Sequence, residues 1–296
     1  MKISRNVRRL LAFCMLAAIA VPALPALPET TLQRIARTGK ITVGHRESSI
    51  PFSYLNEQKQ PIGYAVELCQ RIVTAIGKQL GRELKIDYRP VNSANRIDLV
   101  AGGEVDIECG STTNNAERRQ RVAFTIPHFI TSTRFMVKST SSIEGHSDLH
   151  RSTVVTTRGS TAEKLFRDLQ LMSKLVVASD HAAAFAMLEA GQADAFMMDD
   201  ILLASLRAGA RDPKAFRILE MSYRIESLAI MFARNDPDFK AVVDNEMKRL
   251  IAAGEVHAQY RKWFEQPIPP NGINLRWPMS HLLRNSLRFP SDWAPD

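Results

Sequence analysis

The stretch VDIECGSTTNNAERR at residues 105–119 decides how the rest of the chain is read. Its first five residues alternate as a short strand does, Gly110 to Asn115 form a polar turn, and Glu117 opens a charged helical start. Working back, residues 97–100 begin a short helix that stops at Gly102-Gly103, and Leu84 to Val91 alternates as another strand. Before it, Val66, Leu68, Ile72, Val73, Ile76 and Leu80 recur at helical spacing between Gly63 and Gly81, after a strand at 41–45. The order β-α-β-α-β requires a mostly parallel sheet with right-handed crossovers.

The pattern restarts downstream: strands are expected at 153–157, 174–178 and 195–198, with helices at 162–169, 182–191 and 201–208. Two β-rich segments, 131–138 and 226–234, are candidates for crossings between these α/β units, which would make the first lobe discontinuous. A helical run from Pro237 to Phe264 breaks near Gly254 and ends before Pro267 and the Pro269-Pro270 pair.

With 296 residues, 45% hydrophobic and 24% charged, the chain is long enough for two cores and is not a disordered composition. Three cysteines cannot be the main source of stability in a chain this size. The net charge of +8 falls to +4 without the first 26 residues, which hold Lys2, Arg5, Arg8 and Arg9 and no acid. Met1 to Arg9 read as a basic n-region and Leu10 to Val21 as an apolar run, followed by small residues and proline. This is the pattern of a cleaved export signal, with cleavage after Ala20 or Ala26. A helix over that run spans about 18 Å, short of a hydrocarbon core of roughly 30 Å. Cys14 follows Phe13, a poor match to a lipoprotein signal. The basic residues beyond the signal are scattered, and Arg118, Arg119 and Arg121 lack the interleaved aromatics of a single-strand binder, so nucleic acid is not an expected partner.

No hydrolase elbow, zincin motif, phosphate-cradling loop or dinucleotide fingerprint occurs in the sequence. Histidines at 45, 128, 146, 150, 181, 257 and 281 have no metal-ligand spacing, and no metal or cofactor is assigned. What recurs is a polar or basic cluster after each predicted strand: residues 44–49, 91–96, 109–115 with Arg118, 157–161, and Asp199-Asp200. In open α/β sheets ligands sit outside the carboxyl ends of the strands, so these clusters face one crevice. Three arginines there call for an anion, because guanidinium stays charged and binds carboxylate bidentately.

HRESSIPFSY (45–54), SANRI (93–97), DIECGSTTNNAERR (106–119), AFMMDD (195–200) and the ending KWFEQPIPPN (262–271) closely resemble the periplasmic glutamate/aspartate-binding proteins of amino-acid ABC transporters, over about residues 30–275. The resemblance implies a two-lobed α/β fold of the periplasmic binding-protein type, class II-like, each lobe a mostly parallel sheet flanked by helices, joined by two hinge strands. It places lobe 1 at 27–135 plus 230–275, lobe 2 at 136–229, a signal at 1–26, and a tail at 276–296 for which it offers no role. It implies that Arg118 holds the ligand's α-carboxylate with Thr113 and Ser111, that Arg46, Ser93 and Arg96 receive the side-chain carboxylate with His181, that Thr157 and Ser160 add hydroxyl contacts, and that Asp199 takes the ammonium.

The function so implied is periplasmic capture of L-glutamate or L-aspartate by a monomer that delivers it to an inner-membrane ABC permease, without catalysis. Exported cyclohexadienyl dehydratases resemble these proteins too, and for that alternative Glu108 or His181 would have to serve as general acid. A sensory adaptor shares the binding chemistry. The sequence departs from the family at Thr157-Arg158-Gly159-Ser160, where relatives usually show Ser and Thr. Some relatives pair the cysteine at 109 with one near 229–230, but this chain has Leu228-Ala229-Ile230 there. An oxidising periplasm permits a bridge from Cys109 to Cys69 instead.

Overall fold

A computed structural model describes residues 29–292. The export-signal reading of 1–26, with Cys14, lies outside these residues. Two sheets dominate. The first has the strand order Lys85–Pro90, Lys40–His45, Ile107–Cys109, Met231–Ala233, Val122–Phe124. Its first three strands are parallel, and Met231–Ala233 runs antiparallel to both neighbours. The second follows the same plan: Lys174–Ala178, Thr153–Thr157 and Ala195–Asp199 are parallel, and Phe129–Lys138 runs antiparallel beside them. Phe216–Ile218 and Arg224–Leu228 both pair with that last strand.

The β-rich segment 226–234 is two strands rather than one. Arg224–Leu228 belongs to the second sheet and Met231–Ala233 to the first, with Ala229 and Ile230 buried between them. The other crossing is not the expected 131–138, which lies inside the second-sheet strand Phe129–Lys138, but the residues just before it: Thr125 N–H donates to the Ile230 carbonyl at 3.0 Å and His128 N–H to the Leu228 carbonyl at 2.9 Å. These bonds tie the two connections into one narrow joint.

The helix Tyr64–Gln79 buries the stripe that its spacing predicts, including Leu68, Cys69, Ile72 and Ile76, against the first sheet. Cys69 on that helix is disulfide-bonded to Cys109 at the end of its strand, with a Cα separation of 6.2 Å. Closing a loop of this length is worth about 2–4 kcal/mol. It fixes the start of the loop 110–118 to the helix behind it. The strand read at 105–109 is only Ile107–Cys109: Asp106 N–H still donates to the Thr42 carbonyl at 3.0 Å, but the Thr42 N–H goes to the Asp106 carboxylate, which also accepts from the Arg34 guanidinium, and the ladder stops there. The run from Pro237 divides into helices Pro237–Ala252 and Glu255–Tyr260 at Gly254, which sits at φ 71°, left-handed backbone that favours glycine. The tail forms a helix unread in the sequence, His281–Arg288, capped by Ser280 and burying Leu283 and Leu287.

His128, at the joint, is fully buried against the rings of Phe52 and Tyr64. Burial pushes its imidazole down to about 3. The folded protein therefore keeps this histidine neutral at a pH where the unfolded chain protonates it, so its effect on stability is absent above pH 6.5 and grows as pH falls toward 3. The expected loss is about 1.4 kcal/mol per pH unit within that window from this side chain alone. Denaturant unfolding of the protein and of His128→Phe at pH 7, 5 and 4 should show the variant falling less steeply; parallel slopes would refute it.

Candidate functional site

The clusters at the carboxyl ends of the parallel strands of both sheets converge. Ser93, Arg96, Ser111, Thr113, Ser160, Thr161, His181, Met198, Asp199 and Leu202 line one nearly closed cleft of about 10 Å³. All but Ser160 are buried. Larger hollows lie on the surface beside the helix Tyr64–Gln79; the two widest are lined by no buried, unpartnered polar side chain, and a third is lined by Gln259, whose side-chain amide is buried without a partner.

Arg46 follows the strand Lys40–His45 and is 2% exposed. Its Nη2 donates to Ser93 Oγ at 2.9 Å and lies 3.4 Å from His181 Nε2, while Nη1 is buried with no partner. Arg96 is the first residue of the helix Arg96–Ala101, and its Nε and Nη1 are likewise buried without partners. Arg118 lies in the short helix Ala116–Arg119, N-capped by Asn115; its Nη1 donates to the Thr113 carbonyl at 3.0 Å and its Nη2 to the Gly159 carbonyl at 3.3 Å. That second bond crosses from the first sheet's loops to the second's.

Burial and then the neighbouring Arg96 bring Arg46 down to about 9 and Arg118 to about 10. Arg96 is also lowered, by burial, against the pull of Glu108, Asp199 and Glu226. Three desolvated guanidiniums held together favour an anion. His181 opens the helix His181–Glu189 behind the cap Asp180. Burial, with Arg46 and Arg96, holds its imidazole well below the ordinary range, so it is neutral. Arg46 can only donate, so Nε2 accepts and Nδ1–H donates to Thr157 Oγ1 at 2.9 Å. Thr157 thus stands behind His181.

Asp199 ends the strand Ala195–Asp199 at the N-cap position of the helix Asp200–Gly209, yet its side chain makes no capping bond, and Oδ1 is buried without a partner. Asp200 is tied elsewhere, accepting from Thr131 Oγ1 at 2.7 Å and Ser132 Oγ at 2.6 Å. Of the acidic pair, Asp199 is the one that lines the cleft. Burial and the adjacent carboxylates of Glu226 and Asp200 hold Asp199 well above the usual carboxylate range, an environment that favours a cation. Ser160 caps the helix Thr161–Asp168 and still lines the cleft.

Residues absent from the ligand contacts expected from sequence are Thr161, Met198, Leu202 and Glu226, and Glu108 is expected only as a general acid for the enzyme alternative. Met198 is the end of a core-like pair, and Glu226 is the one acid in the mixed strand Arg224–Leu228, a signal readable only once its burial is known. Glu226 is 2% exposed and accepts from Thr113 Oγ1 at 2.6 Å, Thr161 Oγ1 at 2.7 Å and Thr133 Oγ1 at 3.3 Å. Glu108 is fully buried, with Thr112 Oγ1 donating to Oε2 at 2.7 Å and Oε1 unpartnered. Among the described residues no group of three or more His, Cys, Asp or Glu is placed to hold a metal ion, and no helix is long and apolar enough to cross a membrane.

Known proteins share both this fold and this sequence. The chain is 43% identical to the L-glutamate/L-aspartate-binding protein of Pseudomonas aeruginosa, covering 95% of each chain. It is 37% identical to the glutamate/aspartate import solute-binding protein of Escherichia coli, covering 99% of each. Among solved structures, a solute receptor for L-cysteine from Neisseria gonorrhoeae superposes with a TM-score of 0.72 at 23% identity, over 78% of this chain and 92% of that one. That likeness establishes the two-lobed α/β binding-protein fold. Residues 41–266 match the family model, and the chain belongs to the bacterial extracellular solute-binding proteins, family 3.

Proposed function

We propose that this protein is exported to the periplasm by a cleaved signal, captures L-glutamate or L-aspartate between its lobes as a monomer, and delivers it to an inner-membrane ABC permease. The observation that carries this reading is the set of orphaned buried polar atoms. Arg46 Nη1 and Arg96 Nε and Nη1 are donors without acceptors, and Asp199 Oδ1 is an acceptor without a donor. Buried polar groups are nearly always paired, so this cleft is built for a molecule that supplies anionic acceptors and a cationic donor. An acidic amino acid has both. Relatives at 37% and 43% identity named for glutamate and aspartate support the same ligand class.

In this reading Arg118 and Ser111 hold the α-carboxylate, and Asp199 takes the ammonium. Arg46, Arg96 and Ser93 hold the side-chain carboxylate, with His181 and Thr157 behind Arg46. The expected division is lobe 1 at 27–135 with 230–275 and lobe 2 at 136–229; the second boundary falls on the crossing at Ala229-Ile230, whereas the first lies inside Phe129–Lys138, a strand paired within the second sheet, so the crossing puts it at 125–128 instead. Contacts from both lobes select the closed form when ligand is present. Catalysis is not part of this reading: the Glu108 side chain is buried and accepts from Thr112 Oγ1, and the His181 imidazole is held neutral by burial and the adjacent arginines, so it carries no imidazolium proton to donate.

Arg46→Gln tests the ligand's orientation. The variant keeps a donor toward Ser93 but loses the charge, so L-glutamate should bind roughly tenfold or more weakly while L-glutamine changes by less than threefold, by calorimetric titration. Equal losses for both would place Arg46 outside the side-chain subsite.

A further inference from the structure

Glu226 is buried at the joint and touches both lobes. Thr113 comes from the loop after Ile107–Cys109 in the first sheet, and Thr161 is the first residue of the helix Thr161–Asp168 beside the second. Both hydroxyls donate to the same oxygen, Glu226 Oε2, at 2.6 and 2.7 Å, while Oε1 receives Thr133 Oγ1 at 3.3 Å. A threonine hydroxyl has one proton. With that proton committed to the carboxylate, each threonine has only lone pairs left for the cleft that it lines.

We propose that Glu226 is a positioning residue that sets the polarity of the ammonium subsite, fixing Thr113 and Thr161 as hydrogen-bond acceptors and joining them from opposite lobes beside Asp199. This rests on the reading above that the ligand is an amino acid. Three acceptors then meet in one cleft: Thr113 Oγ1, Thr161 Oγ1 and the unpartnered Asp199 Oδ1. A primary ammonium has three N–H donors and satisfies all three. A hydroxyl or water in its place has at most two protons and no charge to set against two neighbouring carboxylates. Thr113, which the sequence reading gave to the α-carboxylate, serves the amine through its side chain. Because Thr113 and Thr161 reach Glu226 from different lobes, the subsite is complete only when the lobes have closed.

Glu226→Gln keeps the shape but gives the threonines an amide N–H to accept, which frees their own protons to point at the ammonium. Wild type and variant are titrated with L-glutamate and with glutarate, the same skeleton lacking the amine. The expected result is a loss of about thirtyfold or more for L-glutamate with glutarate changed by less than threefold, collapsing the preference for the amine. Equal losses for the two ligands, or no loss, overturn the proposal. Should Glu226→Gln fail to fold, Thr113→Val with Thr161→Val, which retains Glu226, must show the same selective loss of L-glutamate; an unselective loss overturns it as well. Wild type that binds glutarate but not L-glutamate would refute the amino-acid reading itself, an outcome the same titration separates from a failure of Glu226.

Discussion

Arg96→Ala should weaken L-glutamate binding roughly a thousandfold with only a small change in the stability of the ligand-free protein. Arg96 is the guanidinium around which the cleft is organised. It is 2% exposed, two of its nitrogens have no partner within the protein, and its charge lowers Arg46, Arg118 and His181 alike. Removing one partner of a buried ion pair costs about 3–5 kcal/mol because the other charge stays buried, which is about two to three and a half decades in Kd. Without ligand two effects oppose: loss of Arg96 relieves its repulsion with Arg46 and Arg118 but leaves Glu108, Asp199 and Glu226 without its charge. Calorimetry and thermal unfolding of the same sample read both halves. A loss below tenfold, or a large drop in ligand-free stability, would mean that Arg96 serves the fold rather than the ligand.

Gly159→Ala should have the second-largest effect, about a hundredfold in affinity, by a route that touches no ligand. Gly159 lies at φ 71° in the second lobe, and a Cβ there would come within 2.6 Å of the Ser93 carbonyl oxygen and 2.7 Å of Ala94 Cα in the first. Both are backbone atoms and cannot swing aside. Left-handed backbone adds about 1–2 kcal/mol for alanine. The lobes must then stop short of the contact, which also breaks the bond from Arg118 Nη2 to the Gly159 carbonyl. Small-angle scattering should show the variant remaining open at ligand concentrations that close the wild type, with each lobe folded. Affinity within threefold of wild type would show that this contact does not limit closure.

Much of this site was legible because it sits where strand ends must put it. The β-α-β order fixes parallel strands, the parallel strands fix a common carboxyl edge, and Arg46, Ser93, Arg96, Ser111, Thr113, Ser160, His181 and Asp199 all fall at such ends. Glu226 escaped because it lies in the middle of a strand, where alternation says only which face it is on and not that the face meets three threonines. The segment 226–234 read as one strand because Ala229-Ile230 is as apolar as its flanks; nothing local marks the change of sheet. Cys69 and Cys109 could be named as candidates, but their reach depends on how the helix Tyr64–Gln79 lies across the strand, a tertiary fact. The tail helix His281–Arg288 was missed because only Leu283 and Leu287 of its eight residues are buried, too few to register as a stripe.

The central claim is that two lobes close on an acidic amino acid, and the direct test is isothermal titration of the mature protein, denatured and refolded to strip any retained ligand, against L-glutamate, L-aspartate, L-glutamine and L-arginine. Tight one-to-one binding of the acidic pair, with glutamine at least a hundredfold weaker and arginine silent, is the result expected from the unpartnered guanidinium nitrogens of Arg46 and Arg96 set against the unpartnered Asp199 oxygen. Equal affinity for glutamine, or silence toward all four ligands from a folded sample, would contradict it.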